Sequence, residues 1–235
     1  WLKFRSVRGD GDCFYRSLIF EFLENAILSN EIMLMKEILI LFYEKISLKN
    51  KEINEKNYLK EGINKVKIDI VIQILYVLLM GMDKNISIDP YVILLKVFLF
   101  CEPFDYAMVF FTRYLIYEYI NQNENKIYST DYQIKLGCLL PDAFIIEKQD
   151  REDEYLYENY FSLQLMQMKT FTEKIVIYVS PFIFNCNISV LVYDYGNMEN
   201  NSIINEKLFE CGCDNNLTLR MIFRKAHYDI IYNEE

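Results

Sequence analysis

The sequence lacks the excess of basic residues that is typical of nucleic-acid-binding proteins. Its 25 lysines and arginines are outnumbered by 34 aspartates and glutamates, and the formal net charge is −9. Because phosphate backbones are bound by clustered cations, this balance argues against nucleic acid as a main partner. A protein or peptide with a basic surface fits the charge better.

The sequence also lacks an apolar run long enough to cross a membrane. The most apolar stretch, Ile68–Met82, includes Asp69 and Gln73, and it is shorter than the about 20 residues that a spanning helix requires. This stretch therefore predicts a buried helix, and we expect no membrane partner.

No signal peptide precedes the cysteines, of which the sequence has six. Most of them lie inside apolar runs, so we expect reduced thiols in a cytoplasmic or nuclear protein. The chain begins at Trp1 rather than Met, and we expect it to be a fragment.

Metal ligands are scarce, because His227 is the only histidine and the Cys211–Cys213 pair falls short of the about four ligands of a structural zinc site. The sequence therefore predicts no metal and no other cofactor.

Apolar and aromatic side chains are abundant, at 52% and 16% of the 235 residues, which is enough to bury a large core. Helical spacing of apolar residues is found over 13–28, 31–46, 58–82, 91–101 and 104–121. Strand-like runs follow over 174–183, 188–197, 217–223 and 227–232. This order predicts an α+β fold in one domain, 1–235, with a helix-rich subdomain over about 30–150 and a strand-rich part over about 174–235.

A thiol stands where a glycine-punctuated turn meets the first predicted helix. The turn is Gly-Asp-Gly-Asp over 9–12, and Cys13 follows it directly. Free N–H groups and the helix dipole favour an anion at a helix start, which predicts a lowered pKa and a nucleophilic thiol. The glycines let backbone N–H groups point toward a reacting carbonyl and form an oxyanion hole. The alternative is a buried cysteine that packs as a small hydrophobic residue.

A base and its orienting carboxylate occur together near the other end of the chain. His227 and Asp229 are two residues apart on a predicted strand, so they share a face. A carboxylate beside an imidazole fixes its tautomer and supports its protonated form. The alternative is a surface histidine without a role, on a hairpin whose tight turn lies at Arg224–Ala226.

Together the two stretches form a Cys-His-Asp hydrolase pattern and resemble a known family. GDGDCFYRS, over 9–17, resembles the nucleophile motif of the ovarian-tumour (OTU) cysteine proteases, and HYDIIY, over 227–232, resembles their histidine motif. The lead-in from Leu2, MVFFTRYLIYEYI at 108–120 and the stretch 161–197 are similar to the otubain branch. The resemblance implies a papain-like fold, with a small mixed β-sheet packed between helices and a helical subdomain.

The resemblance also implies a deubiquitinase that cleaves after the C-terminal glycine of ubiquitin. Cys13 then matches the nucleophile, His227 the general base and Asp229 the residue that orients the histidine. Asp10 matches the motif aspartate of the catalytic set, and an oxyanion loop of Asp10, Gly11 and Cys13 is expected. The implied partners are ubiquitin or polyubiquitin chains, and a ubiquitin-conjugating enzyme in a second interpretation.

Three departures from the family pattern keep alternatives open. Asp12 replaces the usual Asn, and its carboxylate would oppose thiolate formation if it pointed inward rather than to solvent. Lys225-Ala226 replace Pro-Gly, and this added cation could partly offset Asp12. The segment 167–174 lacks the acidic and histidine residues that otubains often carry. A catalytically weak or inactive OTU-fold protein that binds ubiquitin or a ubiquitin-conjugating enzyme is one alternative, and a general peptide protease is another.

Overall fold

A computed structural model of the protein describes residues 3–48, 65–83, 87–123, 165–170, 172, 174–194, 205–211 and 217–232. The first part of the predicted helix over 58–82, the end of the run over 188–197, and Cys213 lie outside these residues. The helices are α1 (Cys13–Leu28), α2 (Ile32–Phe42), α3 (Ile68–Gly81), α4 (Pro90–Phe100), α5 (Glu102–Gln122) and α6 (Lys174–Phe184). A π-helical segment, Tyr43–Leu48, continues α2.

The first five helices confirm the sequence prediction, except that α3 begins at Ile68 and the described residues Val66 and Lys67 of the predicted run 58–82 are not helical. The start of α4 has a clear local cause. Asp89 caps this helix by accepting hydrogen bonds from the N–H groups of Tyr91 and Val92, at 2.9 and 3.2 Å. Pro90 occupies the first helical position, where its missing N–H removes no intrahelical bond.

The strand predicted over 174–183 is wrong, because this segment forms α6. Its β-branched residues favour a strand by composition, but most of the segment is buried in the folded protein. The buried set is Ile175, Val176, Ile177, Val179, Ser180, Pro181 and Phe184. Tertiary packing around most of the helix therefore outweighs the local strand preference, and Pro181 is accommodated inside the helix.

A five-stranded mixed sheet has the order β1-β5-β4-β2-β3. Its strands are β1 (Lys3–Arg5), β2 (Asn187–Asp194), β3 (Asn205–Cys211), β4 (Thr218–Arg224) and β5 (His227–Tyr232). β2 and β4 pair in parallel and the other neighbours are antiparallel, which confirms the expected mixed sheet. β3 is absent from the sequence prediction, because the polar start of this edge strand, Asn205–Lys207, gives no apolar alternation.

The pairing of β1 with β5 brings distant parts of the chain together. Phe4 lies opposite Ile231 and Arg5 opposite Ile230, and the ring of Tyr232 receives the guanidinium of Arg5 at 5.6 Å. The hairpin between β4 and β5 turns through Lys225 and Ala226, as predicted. The loop that leads into α1 and the start of β5 are thereby fixed to the same sheet.

Contacts between Cα atoms divide the chain into two compact units. One unit comprises Trp1–Ser17 and Arg113–Glu235 and contains the whole sheet, and the other comprises Leu18–Thr112. The single domain over 1–235 stays a prediction. In the helical unit, Phe98 makes edge contacts with Phe20 and Phe104 at ring distances of 5.1 and 5.3 Å.

The apolar helix α3 is amphipathic rather than fully buried. Val71, Leu75 and Leu78 are buried, whereas Ile70 and Tyr76 are exposed. The prediction of a helix is confirmed, but the expectation that it is buried holds for one face only. Among the described residues, no helix combines the length and apolarity that a membrane span requires.

Replacing Ala226 with glycine is expected to raise the free energy of unfolding by about 0.5–1 kcal/mol. Ala226 has φ +59°, and this left-handed conformation costs a non-glycine residue about 1–2 kcal/mol, of which the larger entropy of unfolded glycine offsets a part. Urea denaturation measures the change. The matched control Ala107→Gly, inside α5, should lower stability by at least about 1 kcal/mol. If Ala226→Gly lowered the free energy of unfolding, the proposed backbone strain at Ala226 would be contradicted.

Candidate active site

Asp10 braces the loop between β1 and α1. Arg16 donates two parallel hydrogen bonds to its carboxylate, from Nη1 to Oδ1 at 2.8 Å and from Nη2 to Oδ2 at 2.9 Å. The N–H of Asp12 donates to the same carboxylate at 3.1 Å. Partial burial raises the pKa of Asp10, but the hydrogen bonds and charge of Arg16 outweigh it and hold the pKa below the usual value. Asp10 therefore stays ionised and holds the loop in shape.

Gly11 is required by both its conformation and its surroundings. Its φ of +89° lies in the region that side chains rarely adopt, and a Cβ added there would stand 2.4 Å from the carbonyl oxygen of Lys169. The loop backbone therefore packs directly on the backbone at Lys169–Thr170.

Asp12 points inward, and the alternative in which it faces solvent is wrong. Its Oδ1 accepts hydrogen bonds from Arg113 Nη2 at 2.6 Å, from Arg113 Nε at 3.1 Å and from the N–H of Lys169 at 2.9 Å. The side chains of Asp12 and Arg113 are 2% and 0% exposed. The charge of Asp12 is thus neutralised by Arg113 rather than by Lys225, the cation that the sequence suggested.

Arg113 extends this contact to a third part of the chain. It donates to the carbonyl oxygens of Leu165 at 2.8 Å and Thr170 at 2.9 Å, and its guanidinium lies 3.8 Å from the ring centre of Tyr15. We call the set Asp12, Arg113 and the backbone of Lys169–Thr170 the Asp12–Arg113 clamp. Sequence reasoning missed Arg113, although an arginine within the apolar run over 108–120 is a signal for a buried ion pair.

Cys13 is the first residue of α1, as predicted, but its pKa is shifted the other way. Burial raises the pKa of the Cys13 thiol, and the charge of Asp10 adds to this effect. Hydrogen bonds from the N–H groups of Tyr228, Phe14 and Cys13 itself act in the predicted direction but are outweighed. The resting thiol is therefore protonated at neutral pH, so a base has to remove its proton.

His227 is oriented to supply that base. Its Nε2 lies 2.9 Å from Oδ1 of Asp229. A carboxylate only accepts hydrogen bonds, so Nε2 carries the proton and Nδ1 is left with a free lone pair. Nδ1 faces the loop, because a Cβ on Gly9 would lie 3.4 Å from it. The N–H of Tyr228, which bonds the sulfur, holds the start of β5 beside Cys13.

Asp229 is fully buried and accepts bonds from three directions. Besides His227, Val7 donates its N–H to Oδ1 at 2.9 Å, and Arg224 donates to Oδ2 from Nη2 at 2.9 Å and from Nε at 3.2 Å. Burial raises the pKa of Asp229, but the bonds from Val7 and Arg224 outweigh it and keep the pKa low. Arg224 also packs over the ring of Phe4, at 4.5 Å. Sequence reasoning placed Arg224 in the hairpin and missed this role.

Cys13 and His227 line one open cleft of ≈ 510 Å³. Its lining residues are Gly9, Asp10, Gly11, Cys13, Lys169, Lys225, Ala226 and His227. The predicted nucleophile, base and oxyanion loop therefore lie around one space, while Asp229 supports His227 from its buried position. In the described ranges, no cluster of three or more metal-ligating side chains is found, and Cys13, Cys101 and Cys186 are not disulfide-bonded.

Comparisons with known proteins agree with this architecture. A family model described as Peptidase C65 Otubain matches residues 1–233. A chain of the ceOTUB1 ubiquitin aldehyde UBC13~Ub complex matches with a TM-score of 0.59 and 14% identity, over 99% of this chain and 79% of that chain. No curated protein sequence matches the chain.

Two related complexes are also similar. The h/ceOTUB1-ubiquitin aldehyde-UBC13~Ub structure matches with a TM-score of 0.56 and 14% identity, over 99% of this chain and 77% of that chain. The h/ceOTUB1-ubiquitin aldehyde-UBCH5B~Ub structure has the same TM-score and identity, over 99% and 76% of the two chains. The likeness confirms the predicted fold.

Removing the cation of the clamp should destabilise the protein strongly. Arg113→Met leaves the carboxylate of Asp12 buried without its partner, and we expect a loss of about 3–5 kcal/mol in the free energy of unfolding, measured in urea. The double variant Asp12→Asn, Arg113→Met removes both charges and should recover part of that loss. A cost below about 1 kcal/mol for the single variant would contradict the proposed importance of the pair.

The raised pKa of Cys13 predicts a particular pH profile for its alkylation. Only the thiolate reacts with iodoacetamide, and burial raises the pKa of this thiol above its ordinary value of 9.0. The alkylation rate of Cys13, followed by mass spectrometry of its peptide, should therefore keep rising as pH increases through that value. The Cys13→Ala variant is the control, because any alkylation that remains in it comes from the other cysteines. A plateau below about pH 8 would show a thiolate stabilised by His227 instead.

Proposed function

Because the chain belongs to the Peptidase C65 otubain family, we propose that it is a cysteine deubiquitinase that hydrolyses the bond after the C-terminal glycine of ubiquitin. The observation that carries the proposal is the geometry of His227. Asp229 accepts a hydrogen bond from Nε2 at 2.9 Å, which leaves the basic Nδ1 facing the loop in a cleft that Cys13 also lines.

The reaction starts with proton transfer from the thiol of Cys13 to Nδ1 of His227. The sulfur attacks the carbonyl carbon of the terminal glycine, and the carbonyl oxygen becomes an oxyanion. Backbone N–H groups of the loop at Asp10, Gly11 and Cys13 stabilise this oxyanion, at about 3–4 kcal/mol per donor in the transition state. Collapse of the intermediate breaks the C–N bond, and His227 gives its proton to the leaving lysine amine.

Water completes the cycle. His227, again neutral, takes a proton from a water molecule as its oxygen attacks the thioester formed with Cys13. The second intermediate breaks its C–S bond and releases the C-terminal carboxylic acid of ubiquitin, which loses its proton to water, and the sulfur recovers its proton from His227. Asp229 keeps the imidazole in one tautomer throughout and stabilises its protonated form between the two transfers.

Two glycines, Gly9 and Gly11, line the cleft beside Cys13 and contribute no side chains to it. A substrate backbone can therefore approach the protein backbone there. The Gly-Gly end of ubiquitin is the proposed occupant. Ubiquitin or polyubiquitin is accordingly the proposed partner, in line with the ubiquitin aldehyde bound in the similar structures.

A second candidate is a binding protein that holds ubiquitin or a ubiquitin-conjugating enzyme without turnover. The raised pKa and deep burial of Cys13, which is 4% exposed, favour this candidate. The similar structures also contain UBC13~Ub or UBCH5B~Ub. The intact arrangement of Cys13, His227 and Asp229 favours the enzyme.

Ubiquitin with a thiol-reactive group at its C-terminus should form a covalent adduct with the protein at Cys13. The adduct requires both recognition of ubiquitin and an activated thiol at the end of its tail. Gel shift and mass spectrometry measure it, and Cys13→Ala should give none. A folded wild-type protein that binds ubiquitin without forming the adduct would favour the binding protein.

Replacing the base should lower turnover more than replacing the residue that orients it, with a ubiquitin C-terminal amide as the substrate. His227→Ala is expected to lower kcat by about 10²–10⁴-fold, because the general base is lost. Asp229→Ala should lower kcat less, since the imidazole remains. Asp69→Asn, an exposed carboxylate on α3, provides the control. Equal losses for the two active-site variants would contradict a purely orienting role for Asp229.

A further inference from the structure

Two lysines line the cleft beside Cys13. Lys169 belongs to the segment held by the Asp12–Arg113 clamp, and Lys225 lies in the turn between β4 and β5. Both residues are exposed. Asp10 is the acidic residue among the described lining residues. Two exposed lysines therefore line this cleft in a chain whose net charge is −9.

The backbone at these lysines is strained. Lys169 has φ +65°, Lys225 φ +50° and its neighbour Ala226 φ +59°. Non-glycine residues adopt such angles at a cost, and they persist where the surrounding structure determines them, often at functional sites. Five described non-glycine residues have positive φ, and three of them line this one cleft. Glycine would relieve the strain, so the presence of lysine at two of these positions points to a use for the ammonium groups.

The position of Lys169 relative to Cys13 is set by buried contacts. Its N–H donates to Asp12 at 2.9 Å, and the carbonyl of the next residue, Thr170, accepts from Arg113 at 2.9 Å. Its own carbonyl packs on Gly11, two residues before the nucleophile. The root of this side chain is thus fixed to the same loop that carries the thiol.

An ammonium group on a cleft wall recognises a carboxylate. Under the proposed function, the ubiquitin side of the scissile bond ends in glycines and offers no acidic side chain there. A carboxylate near Lys169 and Lys225 must then come from the acceptor side. We infer that Lys169 and Lys225 select conjugates in which an acidic side chain lies next to the acceptor lysine. This inference rests on the proposed function and specifies its substrate class.

The test compares two conjugates that differ by one group. Ubiquitin is joined through its C-terminus to the lysine of a short peptide with blocked ends, and the residue next to that lysine is Glu or Gln. We expect kcat/KM to be about three- to tenfold higher for the Glu conjugate, as for one or two partly exposed ion pairs. The ratio should fall as salt is raised.

Charge variants of the two lysines should change that ratio in a graded way. Lys169→Gln with Lys225→Gln should bring it to about one, and Lys169→Glu with Lys225→Glu should invert it, whereas arginine at both positions should retain it. Lys36→Gln removes one positive charge from an exposed position on α2 that does not line the cleft, and it should keep the wild-type ratio. A wild-type ratio of one, or an unchanged ratio in the double glutamine variant, overturns the inference.

Binding to Cys13→Ala separates this inference from the proposed hydrolysis. Calorimetry with the same two conjugates needs no turnover, and the Glu conjugate should bind more tightly than the Gln conjugate. The difference should vanish when both lysines are also replaced by glutamine. Tighter binding of the Glu conjugate together with an inactive wild type supports the selection and overturns hydrolysis. Turnover with equal kcat/KM overturns the selection alone, and binding of neither conjugate together with an inactive wild type overturns both.

Discussion

The buried ion pair between Asp12 and Arg113 is the interaction on which the geometry around the thiol depends. A carboxylate next to a nucleophilic cysteine would oppose the thiolate, and a buried one without a partner would destabilise the fold. Arg113 neutralises it at 2.6 Å and at the same time bonds the carbonyl oxygens of Leu165 and Thr170. One guanidinium thus joins the loop before α1, the helix α5 and one wall of the cleft.

Three carboxylates around the thiol and the histidine each form an ion pair with a different arginine. The nitrogen–oxygen distances in these pairs are 2.6–2.9 Å. The three pairs are Asp10 with Arg16, Asp12 with Arg113, and Asp229 with Arg224. An acidic protein can therefore position its loop, its helix start and its histidine with carboxylates while limiting the negative potential that would keep the sulfur protonated.

How much could be predicted from the sequence depended on how far apart the interacting residues lie. Cys13, His227 and Asp229 stand in short motifs whose chemistry is local, so the sequence alone could single them out as candidate site residues. Arg113 was missed because its partner lies 101 residues away along the chain. Two predictions were wrong for a related reason. The run over 174–183 was predicted as a strand but forms a helix, and the pKa of Cys13 was predicted to be lowered but is raised. Burial decides both, and a linear pattern reports burial poorly.

Because β1 pairs with β5, Cys13 and His227 come together only when the late strands have been synthesised. Val7 and Asp229, whose hydrogen bond closes this contact, are 222 residues apart. At about 5–20 residues per second, the ribosome needs roughly 10–45 s to cover that distance. During this interval Cys13 has emerged from the ribosome without His227 beside it. The order of the elements along the chain therefore makes the cleft one of the last parts of the molecule to assemble, after the sheet is complete.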